Sequence, residues 1–104
     1  MSNTKTMRNL NDAEVERVAE QFSLLGEPMR LKILQALCER PLAVGEIVAA
    51  TGATQSNISR HLSLLASAGI ITRHKDGQFV YYEISNPLTM KLCELVHREL
   101  LKQS

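Results

Sequence analysis

The sequence predicts a mainly α-helical domain with one small β-hairpin, in the order α-α-α-α-β-β-α. Apolar residues recur at helical spacing in four segments up to Ser67, and again after Pro87. Between these points lie two runs rich in β-branched and aromatic residues. The Asp76-Gly77 pair that separates them is typical of a hairpin turn. With 104 residues, the chain is expected to form one domain.

The domain boundaries follow from composition and chain breakers. Residues 1–10 are polar and without pattern, so we expect a flexible arm there and a folded domain over 11–104. The second helix is expected to continue to Arg40-Pro41, because the residue before a proline avoids the helical conformation. The helices are expected at about 12–25, 28–40, 43–50, 55–67 and 88–101, and the strands at 70–74 and 78–84.

The third and fourth helices are joined by the glycine-containing turn 51–53, which is the arrangement of a helix-turn-helix. In that motif the second helix enters the major groove of DNA. Its polar face carries amides, hydroxyls and an arginine, which suit adenine, phosphate and guanine. The candidate DNA contacts are Thr54, Gln55, Ser56, Asn57, Ser59, Arg60 and His61. His61 could instead pack beside the turn, and a merely solvated face is the alternative for this helix alone.

A hairpin directly after a helix-turn-helix makes a winged helix-turn-helix. Its expected tip holds Arg73, His74 and Lys75, whose side chains could lie along a phosphate strand or in a minor groove. A charged tip alone could serve only solubility. The two parts in this order favour a sequence-specific regulator that binds double-stranded DNA.

Other functional classes fit the sequence less well. The net charge is +1 and aromatic residues make up 4% of the chain, which argues against a stacking platform for single-stranded nucleic acid. The chain carries no phosphate loop, no His-Glu-x-x-His zinc signature and no nucleophile elbow, so we expect neither an enzyme nor a cofactor. A protein-interaction module would present an apolar or acidic recognition face, and residues 55–60 are neither.

No apolar run approaches the roughly 20 residues of a membrane span, and the N-terminal residues lack the apolar stretch of a signal peptide. We therefore expect a cytoplasmic protein without a membrane partner. In that reducing compartment, Cys38 and Cys93 are expected to begin as free thiols.

The sequence resembles the ArsR/SmtB family of winged helix-turn-helix repressors along nearly its whole length. The residues that carry the resemblance are LGEPMRLKIL at 25–34, VGEI at 44–47, TQSNISRHL at 54–62, AGII at 68–71 and GQFVYY at 77–82. The resemblance implies a homodimer with the first and last helices at its interface. It also implies repression of a nearby operon, relieved when an effector weakens DNA binding.

The residues themselves also favour a dimer. The last helix is apolar over a broad face that a small winged domain cannot readily cover alone. A two-fold dimer would place its recognition helices about one DNA turn apart and would favour an inverted-repeat operator.

The effector is left open by the sequence. Family members often sense metals, but the stretches 42–45, 86–88 and 99–102, together with Leu64 and Ala68, lack the ligands of three family sites. Cys93 and His97 share one helix face and could form half of a soft-metal site, completed by Glu94 or by the partner subunit.

Cys38 and Cys93 also resemble an arrangement in which relatives sense oxidants or persulfides. Those relatives carry one cysteine in the second helix and one in the last. The remaining alternatives are an unrecognised small-molecule ligand, or structural cysteines with no small-molecule effector.

Overall fold

The computed structural model describes residues 5–103 and confirms the predicted order of elements. A short 3-10 helix, Met7–Asn9, precedes the main elements. These are α1 (Asp12–Leu25), α2 (Pro28–Ala36), α3 (Val44–Thr51), α4 (Gln55–Ser67), β1 (Ile71–Asp76), β2 (Phe79–Ile84) and α5 (Leu88–Lys102). Within the part of the chain that the structure describes, no helix combines the length and apolarity needed to cross a bilayer.

The N-terminal segment differs from the expected arm where the structure describes it. Residues 1–4 of that predicted arm lie outside the described residues, but Met7–Asn9 form the 3-10 helix. Lys5 Nζ lies 2.8 Å from Glu14 Oε1, which ties this segment to α1. Glu14 also completes a capping box, because Asn11 Oδ1 accepts from its backbone N–H at 2.8 Å and Asn11 N–H donates back to its carboxylate. Residues 5–9 are nevertheless exposed, so the domain boundary at residue 11 stays a prediction.

The second helix ends at Ala36, four residues earlier than the sequence predicted. The reason is a pairing between Leu42 and β2. The Leu42 N–H donates to the Tyr82 carbonyl at 3.0 Å, and the Tyr82 N–H donates to the Leu42 carbonyl at 2.8 Å. The chain must leave the helix well before Pro41 to bring Leu42 beside the hairpin. Cys38 therefore lies just beyond α2.

The hydrophobic core lies under α4. Its fully buried side chains come from α2, α3, α4 and β1, and are Ile33, Leu34, Ile47, Ile58, Leu62, Leu65 and Ile71. Three of these seven belong to α4, so one face of this helix is wholly enclosed. The opposite face of α4 is thereby held in a fixed orientation toward solvent.

The hairpin turn is shorter than the expected three residues. Gly77 and Gln78 join Asp76 to its cross-strand neighbour Phe79, so Lys75 belongs to β1. Gly77 has φ +63°, a left-handed conformation that suits glycine in tight hairpin turns.

The last helix, α5, packs against the core with only one of its faces. Thr89 is 5% exposed, and its hydroxyl donates to the Asn86 carbonyl at 2.8 Å. Met90 and Leu92 pack against the core. The apolar residues of α5 that remain exposed include Leu88, Leu95, Val96 and Leu101, and those of α1 are Val15, Val18 and Phe22. Both terminal helices therefore present apolar surface to solvent within a single subunit.

Replacing Ile58 by alanine should lower the free energy of unfolding by about 2–5 kcal/mol, because it leaves a cavity where the side chain is now 0% exposed. Urea denaturation at a fixed protein concentration measures the change. Ser56→Ala, on the exposed face of the same helix, should change that free energy by less than about 0.5 kcal/mol. Equal effects of the two substitutions would contradict this account of the core.

Candidate nucleic-acid interface

The turn before α4 is set by a glycine and a threonine. Gly52 ends α3 with φ +74°, and its N–H donates to the Val48 carbonyl at 2.8 Å. Thr54 then caps α4, because its hydroxyl oxygen accepts from the backbone N–H of Asn57 at 3.2 Å. The Thr54 hydroxyl therefore has a structural role in addition to its position at the helix start.

The first turns of α4 present polar side chains opposite its buried stripe. The exposed residues are Gln55, Ser56, Ser59 and Arg60, with Asn57 partly exposed. Arg60 Nη2 donates to Asn57 Oδ1 at 2.8 Å. This bond orients the guanidinium along the helix and leaves the Asn57 amide N–H groups available as donors. A set of donors and acceptors on one projecting face can read the edges of base pairs.

His61 does not lie on that exposed face, and its burial favours packing inside the domain over the alternative of a DNA contact. The residue is 5% exposed, because positions 58, 61, 62 and 65 all point inward at helical spacing. The spacing alone could have shown this. Its neighbours are residues of α2 and of the α1–α2 turn, rather than the turn between α3 and α4.

Two residues beside His61 were missed by the sequence analysis. Arg30 Nη1 lies 3.4 Å from His61 Nδ1, while the same guanidinium donates to the carbonyls of Leu24 at 2.6 Å and Ser23 at 3.2 Å. Glu27 caps α2 by accepting from the Arg30 N–H at 3.0 Å, and its carboxylate lies 3.8 Å from His61 Nε2. A polar cluster thus joins α1, α2 and α4.

The ionisation of Glu27 reflects its capping role. Burial acts to raise the pKa of this carboxyl, but the N–H groups of Met29 and Arg30 outweigh that effect together with nearby positive charge. The pKa therefore lies below its usual value, and Glu27 is a carboxylate at neutral pH. Pro28, at the first helical position, is the sequence signal that a capping residue precedes it.

The hairpin does not carry one basic tip. By register, Arg73 and Lys75 lie on the same face, opposite Tyr82 and Val80, and both are exposed. His74 lies on the other face. The tip itself is formed by Gly77 and Gln78 with Phe79, which is 77% exposed. The expectation of three basic residues at the tip is therefore corrected, because β1 extends two residues further than the sequence suggested.

His74 is engaged within its own hairpin. Its ring stacks on Tyr81 with centroids 5.1 Å apart and an interplanar angle of 21°. Its Nε2 lies 2.6 Å from Glu83 Oε1, although this shielded atom makes no aligned hydrogen bond. These contacts orient the imidazole along the hairpin surface rather than beyond its tip.

Cys38 and Cys93 line the same cleft between the end of α2 and α5. This cleft has a volume of about 370 Å³ and is also lined by Glu94 and His97. Burial raises the pKa of the Cys38 thiol above its usual value, and Glu94, Glu39 and Cys93 raise it further. Both cysteines are free thiols. The three effector candidates from the sequence are therefore brought to one place.

Metal-binding geometry is not found in this cleft. Among residues 5–103, no three side chains of His, Cys, Asp or Glu converge tightly enough to hold a metal ion. Cys93 and His97 remain at most half of such a site within one subunit.

Comparison with known proteins extends these observations. The model of the arsR family of bacterial regulatory proteins matches residues 27–73. The uncharacterised HTH-type transcriptional regulator Rv0081 of Mycobacterium tuberculosis is 34% identical over 81% of this chain and 75% of that protein. Its crystal structure matches with a TM-score of 0.80 and 31% identity, covering 88% of this chain and 93% of that one.

Two further relatives are informative. The cadmium resistance transcriptional regulatory protein CadC of Lactococcus lactis is 37% identical, over 83% of this chain and 73% of that protein. The solution structure of the homodimeric winged helix-turn-helix DNA-binding domain Mb0332 of Mycobacterium bovis has a TM-score of 0.77 and 27% identity, covering 100% and 96% of the two chains.

The relatives Rv0081 and CadC are transcriptional regulators by name, and Mb0332, whose fold this chain shares, is named a winged helix-turn-helix DNA-binding domain. The chain therefore belongs to the ArsR family of bacterial regulatory proteins and is a DNA-binding transcriptional regulator.

Proposed function

We propose that this regulator is a homodimeric repressor that binds an inverted-repeat operator with α4 in the major groove of each half-site. The observation that carries the proposal is that α4 has one buried apolar face and one exposed polar face. Its inner face is enclosed by the core, while Gln55, Ser56 and Arg60 project from its first two turns. In a helix-turn-helix, the residues at the start of the second helix are those that reach base edges.

The wing supplies charge rather than base recognition. Arg73 and Lys75 are exposed on one face of the hairpin, and neither forms an ion pair among the contacts described for residues 5–103. Such cations lower the free energy of binding by neutralising phosphates, whatever the base sequence. His74 is left out of this role because its ring is held by Tyr81 and Glu83.

Dimerisation is supported by the terminal helices. Val15, Val18 and Phe22 on α1 are 39–54% exposed, and Leu95 and Val96 on α5 are 52–53% exposed. Apolar surface spread over two adjacent helices is typical of an interface between subunits. Mb0332 is a homodimer with the same fold, and a two-fold dimer would pair two copies of α4 with two half-sites.

Arg60→Ala should weaken operator binding by about 1–3 kcal/mol and relax the preference at one base pair, if the guanidinium reads a base. Fluorescence anisotropy with a duplex selected by the wild-type protein, and with its single-base variants, measures both effects. Lys102→Ala removes an exposed cation at the end of α5 and should leave the preference unchanged. A uniform loss on all duplexes would instead assign Arg60 to a phosphate.

Val96→Asp should convert the dimer into a monomer, because it places a charge in the apolar surface of α5. Sedimentation velocity at micromolar concentration measures the oligomeric state. Phe79→Asp makes the same change at an exposed apolar residue outside α1 and α5, and this variant should remain dimeric. A wild-type chain that sediments as a monomer, or a dimeric Val96→Asp variant, would overturn the assignment of the interface.

A thiol-sensing effector site is the second proposal. Cys38 and Cys93 line the same cleft, and the Cys93 thiol is one of the groups that raise the pKa of the Cys38 thiol. Two thiols and one molecule of hydrogen peroxide would give a disulfide and two molecules of water, with loss of one proton and one electron from each sulfur. A disulfide here would tie the segment after α2 to α5. The lack of a third ligand among the described residues makes a metal the weaker alternative.

Oxidation by peroxide should remove two hydrogen atoms from the wild-type chain and lower its operator affinity, while Cys93→Ser should show neither change. Intact-mass spectrometry and anisotropy on the same samples measure the two outcomes. Because the pKa of Cys38 is raised, its alkylation by iodoacetamide in the Cys93→Ser variant should still accelerate above pH 9. Unchanged operator affinity after full oxidation would exclude this effector.

A further inference from the structure

One side chain connects the first helix to the recognition helix. The Arg30 guanidinium donates to the carbonyls of Ser23 and Leu24, in the last turn of α1, and also faces His61 on the inner side of α4. Arg30 itself lies in the first turn of α2. The contact between α1 and α4 therefore runs through a planar group whose donors have fixed directions.

The two ring nitrogens of His61 face groups of opposite charge. A guanidinium has donors and no acceptor, so His61 Nδ1, which lies 3.4 Å from Arg30 Nη1, can pair with Arg30 only as an acceptor. His61 Nε2 faces the Glu27 carboxylate at 3.8 Å. His61 is 5% exposed, so water cannot readily replace these partners. The ring is held from both sides by groups outside α4.

We propose that Arg30 and His61 are positioning residues that set the orientation of α4 relative to α1, and thereby the separation of the two recognition helices in the dimer. The proposal rests on the homodimer and the operator binding proposed above. α1 carries Phe22 on its exposed apolar surface, and the carbonyls that Arg30 binds follow directly after it. If α1 lies in the interface, the angle between α1 and α4 determines how far apart the two copies of α4 lie.

Hydrophobic packing alone leaves this angle loosely defined. Ile58, Leu62 and Leu65 fix which face of α4 is buried, but apolar contacts are non-directional and tolerate small changes in the tilt of the helix axis. The arginine cluster adds directional bonds at the end of the core nearest α1. Loss of either partner should therefore broaden the range of α4 orientations without exposing the apolar face.

The spacing of operator half-sites tests the proposal directly. One half-site is selected by the wild-type protein from random duplexes, and inverted repeats are then built with the selected spacing and with one or two base pairs added or removed. One base pair turns a half-site by about 35° and moves it about 3.4 Å. The wild-type dimer should prefer the selected spacing by about tenfold over its one-base-pair neighbours.

His61→Leu and Arg30→Met should reduce this preference to about threefold or less, while affinity for a duplex with a single half-site stays within about twofold of the wild type. The slope of single-half-site affinity against salt should also stay unchanged, because neither residue touches phosphate. His61→Asn keeps an acceptor near the Nδ1 position and should retain most of the preference. Arg40→Met removes an exposed arginine that pairs with Glu46, and it should leave the preference intact.

The outcomes separate this proposal from the one on which it rests. If the wild type binds no inverted repeat or is monomeric, the proposed function fails. If the wild type shows the spacing preference and the folded, dimeric His61→Leu and Arg30→Met variants keep it, the positioning role is overturned. Equal losses on single half-sites and on every spacing would overturn it as well.

If His61→Leu does not fold, the Arg30→Lys variant tests the positioning role instead. This substitution keeps the positive charge but replaces the planar guanidinium with a single ammonium group, and it should weaken the spacing preference. An undiminished preference in a folded Arg30→Lys dimer would contradict the proposal.

Discussion

The enclosure of one face of α4 is the constraint on which the rest of this structure depends. A helix that must present polar side chains to a partner can do so accurately only if its other side is immobile. Ile58 and Leu65 are completely buried, and Leu62 is 1% exposed, so α4 cannot rotate without opening the core. The helices α2 and α3 and the strand β1 contribute the surface against which α4 is held. In the proposed function, the same helix therefore serves both recognition and stability.

Polar contacts supply the directional bonds that the apolar core lacks. Within the cluster of Glu27, Arg30 and His61, the His61 ring is buried, where an unpaired polar group would be costly, and the other two members are partly exposed. Each member has at least one partner, and the partners belong to different helices. Such a cluster favours one relative arrangement of α1, α2 and α4 over others of similar apolar burial. Its contribution is to specificity of structure more than to the overall free energy of folding.

Most of the fold could be predicted from the sequence. The helical periodicity, the Thr54 cap and the Asp76-Gly77 pair determine the order of elements almost alone, because they depend on local structure. The end of α2 was not readable, since it depends on a long-range pairing of Leu42 with Tyr82. The turn was misplaced by two residues because Lys75 and Asp76 are compatible with either strand or turn.

For the candidate DNA-contact residues, the sequence predicted the exposure of some side chains and not of others. Gln55, Ser56, Ser59 and Arg60 lie on the exposed face as expected, since their positions follow from the apolar stripe of α4. His61 is buried, which favours the packing role that the sequence left open beside a DNA contact. Arg30 was missed because nothing in local sequence shows that a helix-start arginine bonds to two carbonyls of the preceding helix and meets a histidine 31 residues away. Such contacts exist only in three dimensions.

The pairing of Leu42 with Tyr82 leaves the small sheet with unequal edges. On the β2 side, one backbone bridge occupies the centre of the strand, whereas β1 is paired only with β2 within residues 5–103. An open strand edge can recruit strands from other molecules and begin aggregation. Here that edge carries exposed Thr72, Arg73, Lys75 and Asp76, and charges of this kind oppose edge-to-edge association. Arg73 and Lys75, which we propose to neutralise phosphates, therefore also oppose extension of the sheet by a neighbouring molecule.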